Sequence, residues 1–242
     1  MRVPPKADAL TCGDRSETVD ERDGSIYNLC AVTKSDAETL QRVSLMNNLS
    51  RRICVFTGSR HGARSEYTEA AKRLGRDLVG RNYGLVYGGG KVGLMTVIAD
   101  TVLELKGHVT GVIPDSLVSK EVAHRGLSEL RVVQSMHERK ALMAELSDGF
   151  IAMPGGIGTM EEFFEVLSWA QLGIHEKPCG LLNVAGYYDP LIQFLDHAVA
   201  EDFIKPKHRA LLIVESESTR LLDRFDHILA GQPFTRFDPS RT

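Results

Sequence analysis

Residues 148–173, DGFIAMPGGIGTMEEFFEVLSWAQLG, read as a buried strand, a glycine-rich turn and a helix. The run from Gly149 to Met153 is apolar and breaks at Pro154-Gly155-Gly156-Ile157-Gly158. Beyond Thr159, the apolar residues Phe163, Phe164, Val166, Leu167 and Ala170 fall at helical spacing. Glycines accept positive φ and let another group approach the backbone closely. The free N–H groups at a helix start, with the helix dipole, attract an anion. This stretch is therefore built to hold a phosphate. Thr159 and Glu162 also have the spacing of a capping box, in which each side chain satisfies a backbone N–H. An isolated T-x-x-E is more often a cap than a site. Here the helix follows a glycine turn at the carboxyl end of a strand, where open α/β sheets bind ligands. That context favours Glu162 as a functional carboxylate.

Working outward, short apolar runs alternate with helical patterns. Strands are expected at 53–57, 85–87, 108–113, 130–133, 150–153, 180–184 and 211–214. Helices are expected at 67–81, 92–105, 136–146, from Thr159 onward, at 190–201 and at 218–230. Strands of this length separated by helices imply parallel βαβ units. The fold class is α/β, a doubly wound, mainly parallel Rossmann-like sheet with helices on both faces. Residues 1–50 are polar, carry Pro4-Pro5 and show no sustained period, so a disordered or loosely packed tail is expected there. The catalytic domain is expected at 51–232, with a short tail at 233–242.

The chain has 242 residues, 43% hydrophobic, enough for one domain with an ample core. Its net charge of −3 is spread along the chain with no long basic run, which disfavours nucleic acid as a partner. No apolar run reaches the ~18 residues of a membrane span. The first residues lack the apolar core of a secretory signal. A cytoplasmic protein is the expectation. Cys12, Cys30, Cys54 and Cys179 form no C-x-x-C pair, so neither a zinc site nor a disulfide framework is expected.

Two further glycine turns precede the central one. Thr57-Gly58-Ser59-Arg60-His61-Gly62 follows the first strand. It is no Walker A loop, since no G-K-[ST] follows, but Gly58 and Ser59 offer backbone and hydroxyl to a ligand. It also reads as an ordinary strand-to-helix loop. Gly88-x-Gly90-x-x-Gly93 formally matches the dinucleotide fingerprint. It follows the second strand rather than the first, and the acid expected about 20 residues on, Asp115, comes after Pro114 instead of at a strand end. A loop contacting phosphate or ribose, through Gly89 and Gly90, is the better reading. Between these turns and the central one, Ser135 and Glu138 form a capping box, which places Arg139 and Lys140 in or just after a first helical turn. Cations there oppose the dipole and add no evident packing, which points to an anionic ligand. Arg139 and Glu162 are separated by one helix and one strand. A parallel βαβ unit brings both to the carboxyl edge of neighbouring strands.

Together, MHERKA from Met136 to Ala141 and PGGIGTMEE from Pro154 to Glu162 resemble the signature of the Lonely Guy (LOG) family, the cytokinin riboside 5′-monophosphate phosphoribohydrolases. Many members carry the older label lysine decarboxylase. The likeness runs over residues 51–230. It includes the triple glycine at 88–90, Gly93-Leu-Met95, Trp169-Ala-Gln-Leu-Gly173 and Gly186-Tyr-Tyr188. By that resemblance Arg139 and Glu162 match the catalytic pair. Glu121, Arg139, Lys140, the turn Gly156, Ile157, Gly158, Thr159, Met160, Glu161 and Glu162, and Ser168 match nucleotide-contacting positions. Pro154, Gly155 and Met95 join them from the same motifs. Ile157 replaces the tyrosine usual in plant members, and Ser168 replaces threonine but keeps a hydroxyl. The first departure bears on base preference more than on chemistry.

The resemblance implies hydrolysis of an AMP-like nucleoside 5′-monophosphate to free base and ribose 5-phosphate, with no cofactor and no metal. In that reaction Glu162 steadies the cationic sugar and activates water, while Arg139 keeps Glu162 ionised. A homodimer is also implied. It fits a helix with Phe163, Phe164, Trp169 and Leu172 on more than one face. Two rivals stand beside this reading. A pyridoxal-phosphate decarboxylase would need a lysine Schiff base, for which Lys140 is the nearest candidate. A non-catalytic nucleotide carrier on the same fold would need no carboxylate at the sugar.

Overall fold

The computed structural model describes residues 49–118 and 123–231, together with two short strands nearer the amino terminus. Those strands, β1 (Glu17–Val19) and β2 (Ile26–Asn28), pair antiparallel and belong to a unit spanning Met1–Asn48. Most of the expected tail, and the segment at 233–242, lie outside the described residues. The second unit, Leu49–Thr242, holds the seven-stranded sheet.

Its strands alternate with helices: β3 (Arg51–Phe56), α1 (Ser65–Gly80), β4 (Tyr83–Tyr87), α2 (Gly93–Glu104), β5 (Val109–Pro114) and α3 (Asp115–Val118). Then come β6 (Glu129–Val133), α4 (Met136–Glu145), β7 (Gly149–Ala152), α5 (Ile157–Gln171), β8 (Cys179–Leu182) and α6 (Asp189–Ala200). Last are α7 (Pro206–Arg209), β9 (Leu212–Glu215) and α8 (Ser218–Ala230). The sheet order is β6-β5-β4-β3-β7-β8-β9, and every pairing is parallel. The seven expected strands all form, each within about two residues of its expected ends.

The strands read as unbroken apolar runs because both sheet faces are covered. Alternate residues point to opposite faces. Ile53, Val55, Leu85, Tyr87, Val109 and Ile151 pack with α1, α2 and α8 on one side. Cys54, Phe56, Val86, Val112, Phe150 and Ala152 pack with residues of α4, α5 and α6 on the other. Cys54 and Cys179 are free, buried thiols. Their burial pushes the thiol pKa up, Cys179 to about 12, so both behave as small apolar side chains. Among the described residues no helix is long and apolar enough to cross a membrane.

The chain winds outward from β3 through β4 and β5 to β6, then crosses back to place β7 on the other side of β3. The switch point therefore lies between the carboxyl ends of β3 and β7, where doubly wound folds bind ligands. Here the first and third glycine turns are joined. Gly58 N–H donates to Pro154 O at 3.1 Å, and Met153 N–H donates to Phe56 O at 2.9 Å. The second turn joins through its last residue. Gly93 has φ +52, and Leu94 N–H donates to Gly58 O at 3.1 Å. A Cβ on Gly93 would meet the backbone carbonyl carbon of Ser59 at 2.3 Å. Gly93→Ala should therefore cost roughly 1–3 kcal/mol of unfolding free energy through strain and collision. Urea denaturation reads this, and an unchanged midpoint would mean that the close approach of α2 to the first turn is unimportant.

Candidate active site

Arg139 lies in the first turn of α4, which is capped as its sequence implies. Ser135 Oγ accepts from Glu138 N–H at 3.1 Å, and Gln134 N–H donates to Glu138 Oε2 at 2.8 Å. The Arg139 side chain turns inward and is 9% exposed. Its Nε donates to the Val112 carbonyl of β5 at 3.1 Å, and its Nη2 pairs with Glu162 Oε1 at 3.1 Å. The guanidinium rests on the end of β4: a Cβ on Gly88 would lie 2.0 Å from Nη2. Gly88 thus serves the site by leaving room for Arg139.

Glu162 sits on α5, and the capping-box reading of Thr159 and Glu162 is overturned by where that helix begins. The N-cap is Gly156, with no side-chain cap. Thr159 is already the third helical residue, and Glu162 lies a turn further in. Thr159 is buried against Gly155, whose Cβ would fall 2.1 Å from the threonine hydroxyl. The N–H groups of the first turn have no intrahelical carbonyl to bond. A Cβ on Gly156 or Gly158 would meet nothing within 4 Å, so the space before the helix is open.

Electrostatics correct a second expectation. Arg139 does pull the Glu162 pKa down, but burial raises it more, and Glu161 and Glu165 add to the rise. The net direction is upward, so Glu162 holds its proton more tightly than a free glutamate. Lys140 departs from its reading too. It is tied to α5 through Glu161 Oε1 at 2.5 Å and Glu165 Oε1 at 3.0 Å, so it does have a packing partner. These bonds raise its pKa, the reverse of what an amine poised for a Schiff base needs.

The other expected site residues divide by place. Gly58, Ser59, Pro154, Gly155 and Gly156 line a cavity of about 270 Å³ at the switch point. Ile157, 89% exposed, opens α5 beside it. Gly89 and Gly90 are buried instead. Gly89 has φ +72 and lies against Ile113, while its carbonyl accepts from His124 N–H at 2.9 Å. Met95 and Met160 pack partly buried against the two cores. Ser168 is exposed six residues beyond Glu162, about 9 Å along the helix, and does not meet the pair within one chain. Glu121 lies outside the described residues. Phe163 is fully buried, Phe164 and Trp169 pack against the core, and Leu172 is 67% exposed.

Two tyrosines escaped the reading of single residues. Tyr187 Oη donates to Gly155 O at 2.5 Å, and Tyr188 Oη donates to Met153 O at 2.7 Å. Their only sequence signal was the Gly186-Tyr-Tyr188 triplet after β8. Among the described residues no group of three or more His, Cys, Asp or Glu side chains is placed to hold a metal ion.

Residues 95–225 match the family described as "possible lysine decarboxylase". The chain is 48% identical over 223 residues to "probable cytokinin riboside 5′-monophosphate phosphoribohydrolase LOGL9" of Oryza sativa subsp. japonica, covering 92% of this chain and 96% of that one. It is 49% identical over 183 residues to "cytokinin riboside 5′-monophosphate phosphoribohydrolase LOG3" of Arabidopsis thaliana, covering 76% and 85%. Among solved structures, the molybdenum cofactor carrier protein of Chlamydomonas reinhardtii matches with a TM-score of 0.56 at 20% identity, covering 74% of this chain and 98% of that one. At that identity the likeness carries the fold alone.

Two outcomes follow from the geometry. Gly88→Ala should displace the Arg139 guanidinium and lower turnover on the order of 10²-fold, since a misplacement of about 1 Å has that effect. Wild-type activity in a folded Gly88→Ala protein would show that Arg139 need not sit there. With Glu162 as the proposed base, turnover should also fall as pH drops through its raised pKa. The acid limb of the pH–rate profile should therefore lie above the ~4.3 of a free glutamate. A limb at or below that value would contradict the burial effect.

Proposed function

The chain belongs to the Lonely Guy family, and from that membership we infer that it is a phosphoribohydrolase, a hydrolase of the N-glycosidic bond of nucleoside 5′-monophosphates. Its products are a free base and ribose 5-phosphate. The base we propose is adenine or an N6-substituted adenine, the class to which the cytokinin substrates named for its relatives belong. The observation that carries the reading is the buried Arg139–Glu162 pair, 3.1 Å apart beside an uncapped helix start.

In this proposal the 5′-phosphate docks on the N–H groups of Gly156, Ile157, Gly158 and Thr159, with the α5 dipole behind them. Glu162 faces the anomeric carbon. As the C1′–N bond lengthens, positive charge grows on the sugar, and the carboxylate stabilises it. Glu162 then takes a proton from water, whose oxygen bonds to C1′. The departing nitrogen leaves with the electron pair of the broken bond and takes a proton from solvent, while Glu162 releases the water's proton to solvent and is regenerated as a carboxylate. The raised pKa of Glu162 makes it a stronger base than an exposed glutamate, and its charge is offset by Arg139. Arg139, held by Val112 O, fixes the carboxylate's direction.

Catalysis is assigned to the unit Leu49–Thr242, which carries all of these residues. A homodimer is a further proposal, supported by exposed apolar side chains such as Leu172, Phe194 and Phe203, and light scattering would size it. The carrier reading is weaker, because its support is a likeness at 20% identity.

Purified protein incubated with AMP, and separately with N6-isopentenyladenosine monophosphate, should release free base detectable by chromatography. Glu162→Gln should lower that rate roughly 10²–10⁴-fold while remaining folded. Folded wild-type protein that binds AMP but releases no base from either substrate would replace the hydrolase by a carrier.

A further inference from the structure

The Gly155–Gly156 peptide is the part of the proposed phosphate cradle with the least intrinsic reason to hold one orientation. Neither residue has a Cβ, and glycine peptides rotate among orientations that other residues exclude. In a trans peptide the carbonyl and the following N–H lie in one plane and point in opposite directions. Whatever fixes the Gly155 carbonyl therefore also aims the Gly156 N–H.

Tyr187 is placed to do this. Its hydroxyl donates to Gly155 O at 2.5 Å. Its neighbour Tyr188 donates to Met153 O at 2.7 Å from a buried position, so two consecutive tyrosines hold the carbonyls on either side of Pro154. The Tyr187 ring is itself braced. It meets Tyr67 edge-on at 5.7 Å and Tyr188 at 5.0 Å, in both cases nearly perpendicular. Tyr67 in turn lies under the first glycine turn, since a Cβ on Gly62 would fall 2.6 Å from its ring. The ring of Tyr187 also lines the cavity of about 270 Å³ beside Gly155 and Gly156. It is 38% exposed, so it does not belong to the closed core.

We propose that Tyr187 is a positioning residue for the substrate's phosphate: its hydroxyl holds the Gly155–Gly156 peptide so that the Gly156 N–H faces the anion. This rests on the phosphoribohydrolase reading and deepens it. Tyr187 touches neither the sugar nor the base and acts through the glycine turn. A phosphate stays bound in both the ground state and the transition state. Loosening its cradle weakens both equally, raising KM and leaving kcat in place.

The test is Tyr187→Phe, which keeps the braced ring and removes one oxygen. Wild type and variant are compared in KM and kcat for AMP, in Kd for ribose 5-phosphate by calorimetry, and in thermal midpoint. The expected result is a rise of roughly three- to tenfold in both KM and Kd, the net effect of one hydrogen bond. kcat should stay within about twofold, as a uniform-binding loss requires. A merely structural tyrosine would lower the thermal midpoint and leave the ribose 5-phosphate Kd unmoved. That result overturns the inference, as does a fall in kcat at constant KM. If wild type binds ribose 5-phosphate and cleaves AMP while the variant matches it in Kd and KM, the positioning role alone fails. If wild type neither binds nor cleaves, the phosphoribohydrolase reading fails and takes the positioning role with it.

Discussion

A buried arginine–glutamate pair is the constraint to which the rest of the molecule answers. Taking both charges out of water costs several kcal/mol per ion, and their attraction repays it only in good geometry with further hydrogen bonds. The fold meets that condition with three elements. β5 offers the Val112 carbonyl to Arg139, β4 is followed by a glycine that makes room for the guanidinium, and α5 delivers the carboxylate. Arg139 and Glu162 ride on the helices before and after β7, so one helix–strand–helix unit of the chain sets their separation. Such a pair is a poor source of stability. A perturbed, paired carboxylate at the carboxyl edge of a sheet is what chemistry asks for.

The glycine turns share the remaining work, each in a different way. Gly58 and Gly93 allow backbones to meet, which ties the ends of β3 and β7 and the start of α2 into one unit. Gly88 accommodates a side chain. Gly155 makes way for the buried Thr159, while Gly156 and Gly158 leave open space before α5. Three similar-looking motifs therefore have three physical roles. Two glycines of the formal dinucleotide match, Gly88 and Gly93, answer packing needs.

The strands were legible because a parallel strand covered on both faces must be apolar throughout, as at 53–56 and 150–152. The Ser135–Glu138 cap was legible because it is a local pattern with a local partner. The Thr159–Glu162 spacing left a cap open as the alternative to a functional carboxylate, because the same four-residue spacing occurs inside a helix. Only the position of the N-cap, Gly156, separates the two cases. Lys140 looked free because its partners Glu161 and Glu165 come from another helix, and no single-segment pattern reveals that pairing. The direction of the Glu162 pKa was also out of reach. It depends on how far burial outweighs Arg139, and burial is a property of the assembled core. Tyr187 was hidden for the same reason: its partner, Gly155, lies 32 residues away.

The most direct measurement is a crystal structure of Glu162→Gln with AMP bound. The expected pose has phosphate oxygens about 3 Å from the N–H groups that open α5 and the anomeric carbon turned toward the residue-162 side chain beside Arg139. A nucleotide whose phosphate lies elsewhere, or whose glycosidic bond faces away from Arg139 and residue 162, would contradict it.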